Sequence, residues 1–261
     1  MLGDAAIDPL PALRRTVASI DAIKAFPCGE AGSLRLGLPA LDAALLGGLA
    51  LGAVHDLSPA APLQFGAAAG FAFALAARIP SDKQVLWIQT DFAALESGTP
   101  YGPGIDLLGL PLHRLLTLRV ARVLDVLWAM EEALKSRAVA VVLAELPEDA
   151  ADLTASRRLS LAARAGGGLG LLLRQRPCPL PSAAITRWKI AAAPSMPDRF
   201  GGLGHTAFDL SLSRNRRGRC GRWIVSWNHE KRIFVPQALS LDMAEAARDR
   251  PDDARQLARA G

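Results

Sequence analysis

The sequence predicts an α/β fold: a three-layer sandwich around a mainly parallel sheet, extended near its carboxyl end by an antiparallel hairpin. Three observations predict it. Short β-branched and aliphatic runs at residues 53–57, 85–89, 115–120, 139–143 and 169–174 alternate with segments of helical period. Strands that alternate with helices imply right-handed crossovers, hence parallel pairing with helices on both faces. After Gln175 the pattern changes to two alternating runs, 207–213 and 223–227, separated by an arginine-rich stretch, which reads as a hairpin. Hydrophobic residues at 51% against 21% charged supply a core for one large domain in 261 residues.

The chain divides into an amino-terminal segment, 1–34, the α/β domain, 35–235, and a charged, partly disordered tail, 236–261. In the first, Leu10, Leu13, Val17 and Ile20 recur at helical spacing behind Pro9, predicting an amphipathic helix over 9–20. Residues 38–46 predict a short helix stopped by Gly47-Gly48, since glycine takes the left-handed cap without a Cβ penalty. Strand 53–57 follows, then a loop over 58–66 and an apolar helix to Ile79. After strand 85–89 the stretch 96–104, ESGTPYGPG, reads as a loop of turn formers. Val123, Leu127, Met130 and Leu134 mark one face of the next helix. Residues 154–166 predict another, with Thr154 as its N-cap. The tail predicts a weak helix interrupted at Pro251.

The loop after strand 53–57 is where such a sheet presents nucleotide phosphates. A phosphate loop of the GxxxxGK[ST] type wraps phosphates in backbone N–H groups and meets their charge with a lysine. Here the residues are SPAAPLQFG, in which two prolines remove donors, and no Lys or Arg lies between Arg35 and Arg78. The degenerate nucleotide-site candidates are Ser58, at the loop's start, Asp91 and Glu145. Asp91 follows strand 85–89, where a carboxylate would polarise water; without the phosphate loop it reads rather as a turn or N-cap aspartate. Glu145 closes the aliphatic strand 139–143 in the place of a magnesium-holding acid, or serves as a local hydrogen-bond partner. A conventional cradle for ATP and Mg²⁺ is not expected, and no cofactor is predicted.

The net charge of +5 conceals an asymmetry: residues 174–232 hold 12 Lys and Arg against 3 Asp and Glu. Such a field draws a polyanion or an acidic protein surface. The nucleic-acid-binding candidates are Arg187, Trp188 and Lys189, with Arg214, Arg216, Arg217, Arg219 and Arg222 of the hairpin tip, because guanidinium groups suit bidentate phosphate or carboxylate contacts. Trp188, Trp223 and Trp227 either stack on bases or pack the hairpin against the sheet. Three scattered cysteines without a CxxC pair argue against zinc or a disulfide framework. No apolar run is long enough to span a bilayer, so a cytoplasmic protein without membrane attachment is expected.

The order of elements resembles a known family. LPALDAALLGGLALGAVHDL is similar to the lead-in to the ATP-binding strand of RecA recombinases, and SRAVAVVLAEL to their Walker B strand. DFAALESGTPYGPGIDLLGL, LDVLWAMEEALKS, DLTASRRLSLAARAG, ITRWKIAAAPS and LSRNRRGRCGRWIVSWN together resemble the ImuA family, the RecA-like components of bacterial damage-inducible mutagenesis cassettes, over residues 35–235. The resemblance implies a RecA-like sandwich and an accessory role in SOS-induced, error-prone translesion synthesis. It implies as partners an ImuB-like Y-family polymerase homologue without catalytic activity, an error-prone paralogue of the replicative polymerase α subunit, and RecA, with single-stranded DNA as a further ligand. The hairpin is also similar to the K-N-R-x-G hairpin of RecA-fold motors, with Arg214 and Arg216 at the matching positions. The short connections after Glu145 and after strand 169–174 lack the long DNA-gripping loops of recombinases, so the resemblance implies an adaptor without catalysis. An atypical DNA-dependent ATPase and an SOS-regulated cell-division inhibitor are the alternatives.

Overall fold

The computed structural model describes residues 32–237 apart from 148, 197–201 and 203. The helix expected over 9–20, Cys28 and the tail beyond Gln237 lie outside the described residues. A two-stranded antiparallel ribbon, β1 (Ser33–Leu34) with β2 (Leu49–Ala50), brackets the short helix α1 (Pro39–Ala44). Gly47 and Gly48 close this entry with φ of +103° and +128°. At Gly48 a Cβ would sit 2.5 Å from the Leu34 carbonyl oxygen, so the chain can pass there only without a side chain.

The main sheet has nine strands. Six are parallel: β3 (Ala53–Pro59), β4 (Gln84–Thr90), β5 (Leu115–Val120), β6 (Val139–Leu146), β7 (Leu169–Arg174) and β8 (Thr186–Ala193). Three antiparallel strands follow, β9 (Ala207–Asn215), β10 (Gly221–Asn228) and β11 (Ile233–Pro236). The spatial order is β11-β10-β9-β8-β3-β7-β6-β4-β5. β3 lies between β7 and β8 and is buried along its whole length, so the polar residues it carries, His55, Asp56 and Ser58, must find their partners inside.

Helix α2 (Phe65–Ala77) covers one face, packing on Leu57, Leu143 and Leu171; α5 (Val123–Lys135) and α6 (Leu153–Gly166) cover the other, packing on Val54, Val142 and Leu172. Alternate residues of each strand therefore serve different helices, and the sandwich has three layers. Phe71 of α2 joins the two halves of the sheet: its ring lies 6.1 Å from Trp188, 5.8 Å from Phe208 and 5.5 Å from Phe234, centroid to centroid. Burial of each such ring contributes about 1.5–3 kcal/mol, so this cluster fixes the antiparallel extension to the parallel core.

Three local expectations are corrected. The N-cap of α6 is Asp152, whose carboxylate accepts from the Ala155 amide at 2.7 Å; Thr154 lies inside the first turn. The cap must keep an extended backbone while its side chain reaches three residues ahead, and Asp152 does both. The stretch 96–104 is not all loop, because α3 (Asp91–Glu96) and α4 (Gly102–Leu107) flank it and Pro103 sits in the first turn of α4, where its missing N–H costs nothing. The two strands of the hairpin also run further than expected: β10 begins at Gly221, paired with Leu212, and β9 continues to Asn215, where its partner is Thr186 of β8.

Candidate functional site

Two places were expected to carry function, and the topology puts them at opposite ends of the sheet. The parallel strands end at a cleft of about 630 Å³ lined by, among others, Phe65, Thr90, Phe92, Glu96, Asp149 and Arg176. This is the crevice at the strands' carboxyl ends where open α/β sheets bind ligands. β9 runs antiparallel to β8 and reaches Asn215 at the level of Thr186 and His55, near the start of β3. The arginine-rich tip therefore lies at the amino-terminal edge, away from the cleft.

The cleft does not fit nucleotide phosphates. Ser58 is buried in β3 and its hydroxyl donates to the Trp188 carbonyl at 3.0 Å. Pro59 and Pro62 have no amide proton, the Ala60 amide donates to Ile190 O at 2.8 Å, and the Gln64 amide donates to Ala61 O at 2.9 Å. Amides engaged in ladder and turn cannot cradle an anion. Among the described lining residues Arg176 is the cation, set against Glu96 and Asp149. Large apolar side chains occupy the rim instead, with Leu63 98% exposed and Phe92 66% exposed.

The two carboxylates are otherwise engaged. Asp91 opens α3 after Thr90, whose hydroxyl is the N-cap acceptor for the Ala93 amide at 3.0 Å, and pairs with Arg119 at 3.0 Å on an exposed surface. Glu145 is buried at the end of β6; Gln175 Nε2 donates to its Oε1 at 3.0 Å, and Oε2 has no partner in hydrogen-bond geometry although Ser97 lies beside the carboxyl. Burial pushes this carboxyl above the usual range, with Gln175 and Ser97 opposing. Burial thus works against the charge that a magnesium ligand carries.

The basic candidates separate on burial. Trp188 is 1% exposed in the aromatic core, so it cannot stack on a base, and Trp227 is likewise buried; packing is what these rings do. Arg187 is corrected too: its guanidinium turns inward, 3.4 Å from Asp56, and donates to the Cys178 and Leu180 carbonyls. Arg222 is engaged by Asp209, while Lys189 is exposed on β8 and Arg219 on the tip. Arg214 and Arg216 both donate to the Ser182 carbonyl, at 3.3 and 3.0 Å. The Arg217 amide donates to Asn215 Oδ1 at 3.0 Å, and its charge reaches His55.

Sequence reading missed the polar interior of β3. Asp56 is 1% exposed and pairs with the equally buried Arg174 at 3.2 Å as well as with Arg187. The signal was available: an acid inside an aliphatic strand must have a cationic partner. His55 Nε2 donates to the Ala50 carbonyl at 2.9 Å, which leaves Nδ1 to accept from the Thr186 hydroxyl at 2.7 Å. The Thr186 hydroxyl in turn accepts from Trp188 Nε1 at 2.7 Å, so the chain of bonds crosses β2, β3 and β8. Among the described residues, no group of three or more His, Cys, Asp or Glu could hold a metal, and no helix is long and apolar enough to cross a membrane.

This sheet order, with a strand-end cleft and helices packed on both faces of the sheet, defines a RecA-like α/β fold. The crystal structure of the RadB recombinase superimposes with a TM-score of 0.51 at 14% identity, covering 78% of this chain and 100% of that one, a likeness of fold. The Protein ImuA sequences of two Caulobacter vibrioides strains are each 35% identical over 209 residues, covering 74% of this chain and 82% of theirs. The chain belongs to the ImuA family. A shorter stretch of 82 residues is 42% identical to the cell division inhibitor SulA of Edwardsiella piscicida, covering 31% of this chain and 46% of that protein. No protein-family model matches the chain.

Proposed function

We propose that this protein is a non-catalytic RecA-fold accessory of the SOS-induced mutasome that supports error-prone translesion synthesis through protein contacts. One observation carries the reading: the crevice that would hold ATP has Pro59 and Pro62 in its loop, the Ala60 and Gln64 amides engaged, Glu145 buried where desolvation opposes its charge, and exposed Leu63 and Phe92 at the rim. An apolar rim without a phosphate cradle suits a protein partner better than a nucleotide. Membership of the ImuA family supports the mutagenic context and an ImuB-like polymerase homologue as the first partner to test, followed by the polymerase α-subunit paralogue and RecA. Co-purification with the ImuB-like protein tests it: Leu63→Asp/Phe92→Asp should weaken the association about tenfold or more. Undiminished binding would move the contact off this rim, and failure to associate with any mutasome component or recombinase would end the proposal.

A second reading, inhibition of cell division after damage, is favoured by the SulA match. Filamentation on overproduction, with damage-induced mutation unchanged in a deletion strain, would select it over the first.

A further inference from the structure

At the amino-terminal edge, α6 carries Arg157, Ser160, Leu161 and Arg164 at i, i+3, i+4 and i+7, one stripe of the helix, beside a cavity of about 330 Å³. The floor is aliphatic, from Ala53 and Val54 at the start of β3 and from Ala183 and Ile185 in the segment before β8. The opposite wall is Arg216. The cavity is built rather than incidental. The Ala183 amide donates to Ser156 Oγ at 2.8 Å, the Ile185 amide to Val54 O at 2.9 Å, and the Arg216 amide to Ile185 O at 2.9 Å.

Three guanidinium groups thus surround one apolar opening, and among the described residues no acidic one lines it. Arg158, next in sequence, is tied to Glu131, whereas Arg157 and Arg164 are exposed and form no ion pair among the described residues. Burial, and after it the nearby charges of Arg214 and Arg157, disfavour the charged form of Arg216. Such repulsion is relieved when an anion binds.

We infer that this pocket is a docking site for an acidic protein segment that inserts one aliphatic or aromatic anchor side chain between Arg157, Arg164 and Arg216. Planar guanidinium groups bind carboxylates in bidentate geometry, and an aliphatic floor accepts a leucine-sized side chain. The volume is at the low end of the roughly 300–1,000 Å³ of ligand pockets, room for one anchor. Nucleic acid fits less well, since no aromatic ring lines the cavity for a base to stack on. The inference does not depend on the mutasome reading, because the purified full-length chain tests it alone.

The probe is a fluorescein-labelled peptide with a run of aspartates ahead of one leucine, read by anisotropy, with a leucine-to-serine peptide and oligothymidylate as comparators. Saturable binding is expected, weakened about tenfold by loss of the leucine. Arg157→Glu and Arg164→Glu, exposed positions that leave the core untouched, should each weaken it about fivefold, and Arg219→Glu at the hairpin tip should change it less than twofold, on the order of a surface charge's effect. Equal binding of both peptides would reduce the pocket to a diffuse basic field. Oligothymidylate that displaces the peptide and loses affinity in the same two variants would reassign the surface to nucleic acid. Either result, or no peptide binding at all, overturns the inference.

Discussion

Lowering the pH from about 7.5 to about 5 should cost the fold close to 2 kcal/mol through His55 alone. The imidazole is fully buried, and desolvation holds its pKa down to about 4 from 6.5, with the Arg217 charge adding to the depression and the Ala50 carbonyl opposing it. In this window the unfolded chain binds a proton that the folded chain refuses, so stability rises with pH. The contribution is complete above the unfolded value of 6.5 and is lost as pH falls towards 4. Over the full window of about 2.5 pH units, at about 1.4 kcal/mol each, the loss approaches about 3.5 kcal/mol. Somewhat more than half of it, about 2 kcal/mol, has gone by pH 5. Glu145 acts in the opposite sense, its raised carboxyl giving stability that is lost as pH rises through its folded pKa, so the raw curve mixes both. The assay is therefore a difference: urea unfolding of the wild type and of His55→Gln at both pH values. Glutamine can keep a donor for Ala50 O and an acceptor for Thr186 without titrating. The wild type should lose about 2 kcal/mol more than the variant on acidification. Identical losses would refute the assignment of a neutral, buried His55.

Other substitutions probe the polar interior and the cleft. Asp56→Asn leaves Arg174 buried without its carboxylate and should destabilise by about 3–5 kcal/mol in urea titrations; a loss below about 1 kcal/mol would mean the pair contributes no more than a surface bridge. Glu145→Gln matches the neutral form that burial favours, so it should leave unfolding unchanged or raise the midpoint above pH 7, whereas a clear loss would show that the charge is wanted. Asp91→Asn removes an exposed bridge to Arg119 and should change stability by less than about 1 kcal/mol.

The architecture was legible because β4, β6 and β7 are largely apolar runs, α5 and α6 keep their helical period, and α2 is apolar throughout. The hairpin was legible for the same reason, but its place was not. Register carries β9 back along β8 and sets the arginine tip at the edge opposite the cleft, and nothing in the local sequence states that direction. Charge counting made Arg187 and Arg222 look like the same kind of group as Arg219, although Asp56, remote in sequence, and Asp209, across the hairpin, neutralise the first two. Arg157 and Arg164 escaped notice because they belong to a helix that reads as ordinary and amphipathic, and their significance comes from Arg216 across the pocket. In the cleft the absence of lysine was plain in the sequence. The use of the Ala60 amide emerged only from pairing with β8, and that of the Gln64 amide from the local turn back to Ala61.

Absence of catalysis is tested most directly by complementation. In a deletion strain, damage-induced mutation frequency is scored with the wild-type chain and with Asp91→Asn/Glu145→Gln, a pair that removes both candidate catalytic carboxylates while leaving the fold intact. An adaptor predicts that the double variant restores mutagenesis to the wild-type level and that neither purified protein hydrolyses ATP with single-stranded DNA present. ATP hydrolysis by the wild type that disappears in the variant, together with mutagenesis at the deletion level, would contradict it.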